Sequence, residues 1–161
     1  MKLEWMGEYR DVVEALIHYC NIYAAAYKKE RLNYNGIRYS YAQIQVLEYL
    51  LENEDEQQNM SSIAKRLGIT RSSFTKIVSR LVEKGLLEKS YMPGSRKAML
   101  ITINETGRAL YEAYSKSIYD RHFSRMFEQL KNLPREYYDV ISNSLYEALH
   151  GSGYTVKPRR K

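Results

Sequence analysis

Seven side chains between residues 71 and 80 are hydroxyl-bearing or cationic, and apolar residues are interspersed among them. They are Ser79 and six candidate binding residues, Arg71, Ser72, Ser73, Thr75, Lys76 and Arg80. Serine and threonine hydroxyls both donate and accept hydrogen bonds, whereas arginine and lysine donate several hydrogen bonds and carry positive charge. Together these side chains could bind a polyanion and hydrogen-bond to the polar groups that it exposes.

The positive charge of the chain is concentrated around these residues. The 161 residues carry a net charge of +6, and residues 60–97 contain nine basic residues but only two acidic ones. This segment therefore has a local charge of +7, and the rest of the chain sums to −1. Such a distribution is typical of a module that binds nucleic acid. A solvated face with scattered lysines is the alternative interpretation.

The apolar pattern predicts that the six side chains lie on the outer face of a helix. The apolar positions, at i, i+3, i+4, i+7 and i+8, are Phe74, Ile77, Val78, Leu81 and Val82. Thr70 is suited to cap this helix, and Gly85 to end it. A shorter helix over 61–67, capped by Asn59, precedes it, and Gly68 supplies the turn. This order is typical of a helix-turn-helix.

A β-hairpin is predicted directly after the second helix. Residues 86–91 and 98–103 have strand character, and Pro93-Gly94 between them suits the centre of a type II turn. Basic residues lie beside the tip, so the hairpin is predicted to be a wing. The predicted DNA contacts outside the second helix are Ser61, Ser62, Arg96 and Lys97.

Helical patterns flank this region on both sides. One helix is predicted from Trp5 to about Arg31, and another from Ser40, where Ser40 and Gln43 have capping-box spacing. Beyond the wing, Asn104 can cap a long helix, and Pro134 fits the first turn of a last helix. The sequence therefore predicts a mainly α fold with a small β-hairpin wing: a winged helix-turn-helix plus N- and C-terminal dimerisation helices. The predicted boundaries are 1–35 for the N-terminal dimerisation helix, 36–106 for the DNA-binding domain, 107–150 for the C-terminal dimerisation helices and 151–161 for a basic, disordered tail.

Composition and motifs exclude several other classes. With 44% apolar and 27% charged residues the chain is expected to fold, and no run reaches the roughly 18 apolar residues of a membrane span. The N-terminus lacks the apolar core of a signal peptide, so a cytosolic protein is expected. The one cysteine excludes an internal disulfide, and the three histidines lack ligand spacing, so no metal site is predicted. No catalytic constellation and no cofactor motif is found, so a small cytosolic enzyme is the least supported class.

Several motifs, in this order and spacing, resemble the multiple-antibiotic-resistance regulator (MarR) family. They are SYAQ (40–43), IAKRLGI (63–69), RSSFTKIV (71–78), LVEKGLL (81–87) and INETGR (103–108). The resemblance implies a winged-helix transcriptional regulator, most simply a repressor, that binds a palindromic operator in double-stranded DNA as a homodimer. It also implies release by a small effector, often phenolic. The family wing commonly carries Asp-x-Arg, but here the corresponding residues are Ser95, Arg96 and Lys97.

Three residues in the N-terminal part have roles that the resemblance suggests. Tyr39 and Tyr41 could line an effector pocket, or they could simply pack in the core. Cys20 lies on the apolar stripe of the first helix, where some family members sense hydroperoxides, so a redox-sensing regulator is an alternative. A winged-helix module that binds protein instead of DNA is another, and it would show no salt-dependent binding to duplex DNA.

Overall fold

The computed structural model describes residues 4–56 and 58–150, with His150 described for its backbone only. The predicted mainly helical fold with a hairpin wing is confirmed. The elements in chain order are a 3₁₀ helix Glu4–Tyr9, α1 Arg10–Tyr27, β1 Leu32–Tyr34, β2 Ile37–Tyr39, α2 Tyr41–Glu52, α3 Met60–Arg66, α4 Arg71–Glu83, β3 Leu87–Tyr91, β4 Met99–Ile103, α5 Glu105–Ile118, a π-helical turn Tyr119–Phe123, α6 Ser124–Leu130 and α7 Glu136–His150.

Short polar side chains begin four of these helices, as the sequence predicts. Ser40 and Gln43 form the capping box before α2, with the Ser40 backbone N–H donating to Gln43 Oε1 at 3.0 Å. Asn59 accepts from two backbone N–H groups of α3, Thr70 from that of Ser73, and Asn104 from that of Gly107. Each cap satisfies amide groups that the first helical turn leaves without a partner, which fixes where the helix begins.

Two features before α2 differ from the sequence prediction. Gly7 has positive φ (50°), so a kinked 3₁₀ segment precedes α1, and α1 is shorter at both ends than predicted. Between the two predicted helices, β1 and β2 pair as a β-hairpin that the sequence did not predict. Asn35 and Gly36 both have positive φ, 49° and 85°, as a type I′ turn requires. Asn33 Oδ1 accepts from the Gly36 N–H at 3.2 Å and braces the turn.

The chain divides into two compact units, and the division falls between Gln45 and Val46, inside α2. The second unit contains the helix-turn-helix and the wing. The predicted domain boundaries stay predictions. No helix among residues 4–56 and 58–150 is long and apolar enough to cross a membrane.

The second unit has one apolar core, built from the stripes of its helices and from one face of the wing. Its most deeply buried side chains are Val46, Leu47, Phe74, Val78, Leu81, Leu86, Leu87 and Leu110. β3 and β4 pair antiparallel, with Leu87 opposite Ile103 and Lys89 opposite Ile101. Since side chains alternate across a strand, the core-facing side of the hairpin holds Leu87, Ile101 and Ile103. On α5, Tyr111 interacts with Glu48 of α2, and burial, followed by the charge of Glu48, raises the pKa of Tyr111 to about 12.

The end of α4 and the beginning of α5 share a close junction. Gly85 ends α4 at φ 67°, and the Leu86 N–H returns to Leu81 O at 2.9 Å. Asn104, besides capping α5, donates from Nδ2 to Gly85 O at 2.8 Å. Gly107 in the first turn of α5 lies so close to Leu86 O that a Cβ there would be 2.4 Å from the oxygen. Glycine is therefore required at position 107 because a side chain has no room there, and not because the backbone adopts a conformation that other residues avoid.

Gly107→Ala is expected to destabilise the protein by roughly 2–3 kcal/mol, because the neighbour of the new methyl group is a backbone carbonyl that cannot turn aside. In a chain of this size the melting temperature should fall by about 4–12 °C, as measured by thermal denaturation followed by circular dichroism. Thr106→Ala, at the preceding exposed position, is the control and should shift it little. An unchanged melting temperature for Gly107→Ala would mean that α5 can move away from Leu86 without loss of stability.

The outer helices leave large apolar side chains exposed. α1 has no buried residue at all. Exposed large apolar side chains of residues 4–23 are Trp5, Tyr9, Val12, Ile17, Tyr19, Ile22 and Tyr23. In α7 they are Tyr137, Tyr138, Val140, Ile141, Leu145 and Leu149. Groups of exposed apolar side chains like these are typical of interaction sites in folded proteins.

Candidate nucleic-acid interface

The outer face of α4 is the centre of the candidate interface. Phe74, Val78 and Leu81 turn into the core and are completely buried, so the remaining positions of the helix point outward. Five of the six side chains singled out in the sequence are exposed, namely Arg71, Ser72, Thr75, Lys76 and Arg80, and Ser73 is partly exposed. In the adjacent α3, Ser61 and Ser62 are also exposed.

Hydroxyl groups at the beginning of α4 are organised by hydrogen bonds. Thr70 Oγ1 accepts from the Ser73 N–H at 3.1 Å, donates to Ser73 Oγ at 2.9 Å and lies 3.1 Å from Ser72 Oγ. Thr75 Oγ1 donates to Arg71 O, four residues earlier, at 2.9 Å. Because this bond uses the hydroxyl proton of Thr75, its oxygen can only accept a further hydrogen bond. In α3, Ser62 Oγ donates to the cap, Asn59 Oδ1, at 3.3 Å.

The cations of this face have no carboxylate partner among the described residues. Neither the α4 cations Arg71, Lys76 and Arg80 nor the wing cations Arg96 and Lys97 lie within 4.0 Å of a carboxylate in residues 4–56 and 58–150. Arg108 on α5 is different, since its guanidinium pairs with Glu54, which raises its pKa. A cation without an internal partner keeps its charge available for an external anion.

The wing tip is held by a serine. The Ser95 N–H donates to Met92 O at 2.9 Å across Pro93-Gly94, and Gly94 has φ 75°, in agreement with the predicted turn. Ser95 Oγ then accepts from the Lys97 N–H at 3.2 Å and from the Ala98 N–H at 2.9 Å. Because Ser95 supplies backbone contacts within the tip, the adjacent Arg96 and Lys97 are presented to solvent from an ordered turn.

One basic side chain beside α4 is not among the predicted DNA contacts. Lys89 Nζ, on β3, donates to Ser79 Oγ of α4 at 3.4 Å. In the sequence Lys89 is one of the nine basic residues of segment 60–97 and belongs to no predicted contact. Its position in the strand, among core-facing residues, gave no indication that its ammonium group would reach α4.

The first unit holds the residues suggested for sensing. Tyr39 is 5% exposed, and burial, followed by the proximity of Tyr41, raises its pKa. Tyr41 is half-buried, with its ring centroid 5.8 Å from that of Tyr23. Cys20 is exposed on α1. The geometry therefore assigns Tyr39 to packing more readily than to ligand contact, and Tyr41 stays a candidate for both.

No three His, Cys, Asp or Glu side chains of the described ranges group closely enough to hold a metal ion. The basic tail, residues 151–161, lies outside the described residues, so the prediction of disorder there stays a prediction.

A protein-family model matches part of the chain. Residues 39–95 match the model of the MarR family. No curated protein sequence matches the chain. This match covers α2, the helix-turn-helix and the first strand and turn of the wing. It includes four of the five motifs that carried the resemblance in the sequence, and INETGR (103–108) lies outside it.

Solved structures of MarR-family proteins and other regulators share the fold over nearly the whole chain. The zinc-responsive MarR family member ZitR of Lactococcus lactis is 19% identical over 88% of this chain and 97% of its own, with a TM-score of 0.59. FabT of Streptococcus pneumoniae, in complex with DNA, is 15% identical over 91% of this chain and 98% of its own, with a TM-score of 0.63. The transcriptional regulator PcaV of Streptomyces coelicolor, in complex with its natural ligand, is 17% identical over 92% of this chain and 96% of its own, with a TM-score of 0.60. The chain thus shares the winged helix-turn-helix fold of these proteins, and its residues 39–95 match the MarR family model.

Proposed function

We propose that this protein binds a palindromic operator as a homodimer, represses transcription from it, and is released by a small aromatic effector. The observation that carries the proposal is the set of exposed cations on α4 and the wing, none of which has a carboxylate partner among the described residues. In this assignment α4 is the recognition helix, and its first turns reach base edges in the major groove. Phosphate contacts from the cations supply affinity, and the hydroxyl groups supply the choice of base.

The exposed apolar faces support the homodimer. Tyr138, Ile141, Leu145 and Leu149 lie on one stripe of α7, and each is more than a third exposed in the single chain. Burying such a stripe against a second copy would stabilise a dimer, because about 25 cal/mol is gained for each Å² of apolar surface removed from water. A two-fold dimer would present its two recognition helices roughly 34–36 Å apart, which matches successive major grooves.

Repression and release follow from occupancy of the operator. A dimer bound across two major grooves would exclude other proteins from that stretch of DNA. We expect the protein to act in the cytoplasm, where its target DNA would lie. An effector beside Tyr41 would act by binding the DNA-free arrangement more tightly than the DNA-bound one. A reporter gene placed behind the operator should be silent in the presence of the protein and restored by a phenolic compound that lowers duplex affinity.

In-vitro selection of bound duplexes from a random pool tests the proposal most directly. Selected sequences should converge on two inverted half-sites about one helical turn apart, centre to centre. Convergence on an asymmetric site would contradict the homodimer, and no enrichment above the starting pool would contradict operator binding.

Thr75→Ala is expected to lower the ratio of specific to non-specific affinity by about tenfold or more, since a good base contact contributes roughly 1–3 kcal/mol of discrimination. The bond from Thr75 Oγ1 to Arg71 O leaves two means of reading a base. The hydroxyl oxygen can accept from adenine or cytosine, and the methyl group can contact thymine. If the hydroxyl oxygen reads the base, Thr75→Ser should keep the ratio of specific to non-specific affinity. If the methyl group reads the base, Thr75→Val should keep that ratio.

Ser115→Ala is the matched control for these variants, because Ser115 Oγ makes a similar bond to Glu112 O at 2.9 Å on α5, outside the interface. Fluorescence anisotropy with operator and random duplexes measures both affinities. Equal losses on the two duplexes for Thr75→Ala would remove this residue from base reading.

A further inference from the structure

We propose that Lys89 is an additional phosphate-binding residue of this regulator, and that Ser79 of the recognition helix positions its ammonium group. The inference rests on the proposed binding of duplex DNA and adds a contact between the recognition helix and the wing. It assigns a role to a strand residue that neither the helix face nor the wing tip includes.

The register of the wing explains how a strand lysine reaches α4. Lys89 lies opposite Ile101 and shares one side of the hairpin with Leu87, whose side chain is 2% exposed. Ile101, at 5%, is buried on the same side. The aliphatic stem of Lys89 therefore starts on the core-facing side, and the side chain must run outward to keep its charged end in water. Its exposed ammonium group comes out beside α4.

The ammonium group ends next to the outer row of the recognition helix. Lys89 Nζ donates to Ser79 Oγ at 3.4 Å. Ser79 is four residues after Thr75 and three after Lys76, so the three side chains lie on neighbouring positions of one helix face. Lys89 thus adds a positive charge to the second half of this face, which carries Arg80 as its only other cation before Glu83.

A hydroxyl group can hold a lysine without neutralising it. Lys89 has no carboxylate within 4.0 Å in the described ranges, and an ammonium group has three donors, of which Ser79 uses one. The remaining donors and the full charge stay available for an anion. Where a recognition helix leaves the major groove, the nearest anionic groups of the duplex are backbone phosphates, which position a protein without reading sequence.

Ser79 acts as a positioning residue in this arrangement. A free lysine side chain samples many rotamers, and ordering it on binding costs entropy. A hydrogen bond that already holds the ammonium group at the interface reduces that cost. The effect of Ser79 on DNA binding should therefore exist only while Lys89 is present.

The test is a double-mutant cycle on the full-length protein with Lys89→Gln, Ser79→Ala and the combined variant, using fluorescent operator and random duplexes. Each phosphate contact makes the slope of log affinity against log salt steeper by about 0.9. Lys89→Gln should therefore make the slope shallower by about 1.8 for a dimer, which loses two such contacts. Between 50 and 200 mM salt the variant should consequently lose roughly twelvefold less affinity than the wild type. Its losses should be equal on operator and random duplexes.

Lys116→Gln is the matched control, because it removes one exposed lysine charge from α5, away from the interface. Lys89→Arg should keep the wild-type slope, and Ser79→Thr should keep the wild-type affinity. Ser79→Ala should weaken binding in the wild-type background and have no effect in the Lys89→Gln background, with melting temperatures unchanged.

A slope for Lys89→Gln equal to that of Lys116→Gln would overturn the phosphate contact. Additive effects of the two substitutions would overturn the positioning role of Ser79. Neither result touches the proposed function. That function would be contradicted if the wild-type protein itself showed no salt-dependent binding to duplex DNA.

Discussion

Raising the salt concentration from 50 to 200 mM is expected to lower the affinity of the dimer for its operator by about 10³–10⁵-fold, if it makes 6–10 phosphate contacts. The physical reason is the release of counterions from DNA when the protein binds. The free energy gained from this release is large at low salt and decreases as the salt concentration rises. The cations of α4 and the wing, without internal carboxylate partners in the described part of the chain, are the residues expected to displace those counterions.

Anisotropy titrations at four or more salt concentrations measure this slope. The combined variant Lys76→Gln and Arg80→Gln should flatten it by about 3.6 for a dimer, at 0.9 for each lost contact. The control Lys116→Gln and Arg121→Gln removes the same charge from exposed positions outside the recognition helix. A slope near zero for the wild type would favour a winged helix that binds protein, and an equal effect of both variant pairs would assign the slope to net charge alone.

Leu145→Asp is expected to convert the dimer into a monomer and to weaken binding to a palindromic duplex by about 10²–10⁴-fold. Leu145 is 45% exposed in the single chain, so the change disturbs the folded monomer less than it disturbs an apolar contact with a second copy. Burying an unpaired carboxylate in such a contact is strongly unfavourable. The loss of affinity follows because two linked half-site contacts become one, and the second contact no longer benefits from a high effective concentration.

Sedimentation velocity measures the change of mass, and Asn143→Asp, exposed on the same helix but off the apolar stripe, is the control. Removing residues 1–30 should have the same consequence if the exposed face of α1 also belongs to the interface. A dimeric Leu145→Asp protein that binds its operator normally would show that the stripe on α7 is not the dimer contact.

Local signals made much of this fold predictable from the sequence. Helix beginnings at Ser40, Asn59, Thr70 and Asn104 were correctly placed, because a cap depends on a short polar side chain and on backbone amides within three residues of it. The buried stripe of α4 and the turn at Pro93-Gly94 depend on equally short spacings. The outward face of α4 follows directly from that stripe, since a helix that buries one side exposes the other.

Features that depend on contacts distant in sequence were not predictable in the same way. The destination of the Lys89 ammonium group depends on how β3 packs against α4, which alternation along a strand does not encode. The requirement for glycine at 107 comes from Leu86 O, twenty-one residues away. The hairpin at Asn35-Gly36 had a turn signal, but its strands of three residues each are too short to show alternation.

The junction between α4 and α5 connects the recognition helix to a long helical segment. α5, the π-helical turn and α6 run without a break from Glu105 to Leu130, which at 1.5 Å per residue is a rod of roughly 39 Å. At its near end Asn104 is hydrogen-bonded to Gly85 O, and Gly107 lies against Leu86 O. Because of these contacts we expect the rod and the recognition helix to rotate together. A tilt of only about 5° then corresponds to a displacement of roughly 3 Å at the far end. We therefore expect a displacement around Leu130 to correspond to a smaller reorientation of α4. Small reorientations of α4 matter because hydrogen bonds weaken steeply outside a narrow range of distance and angle.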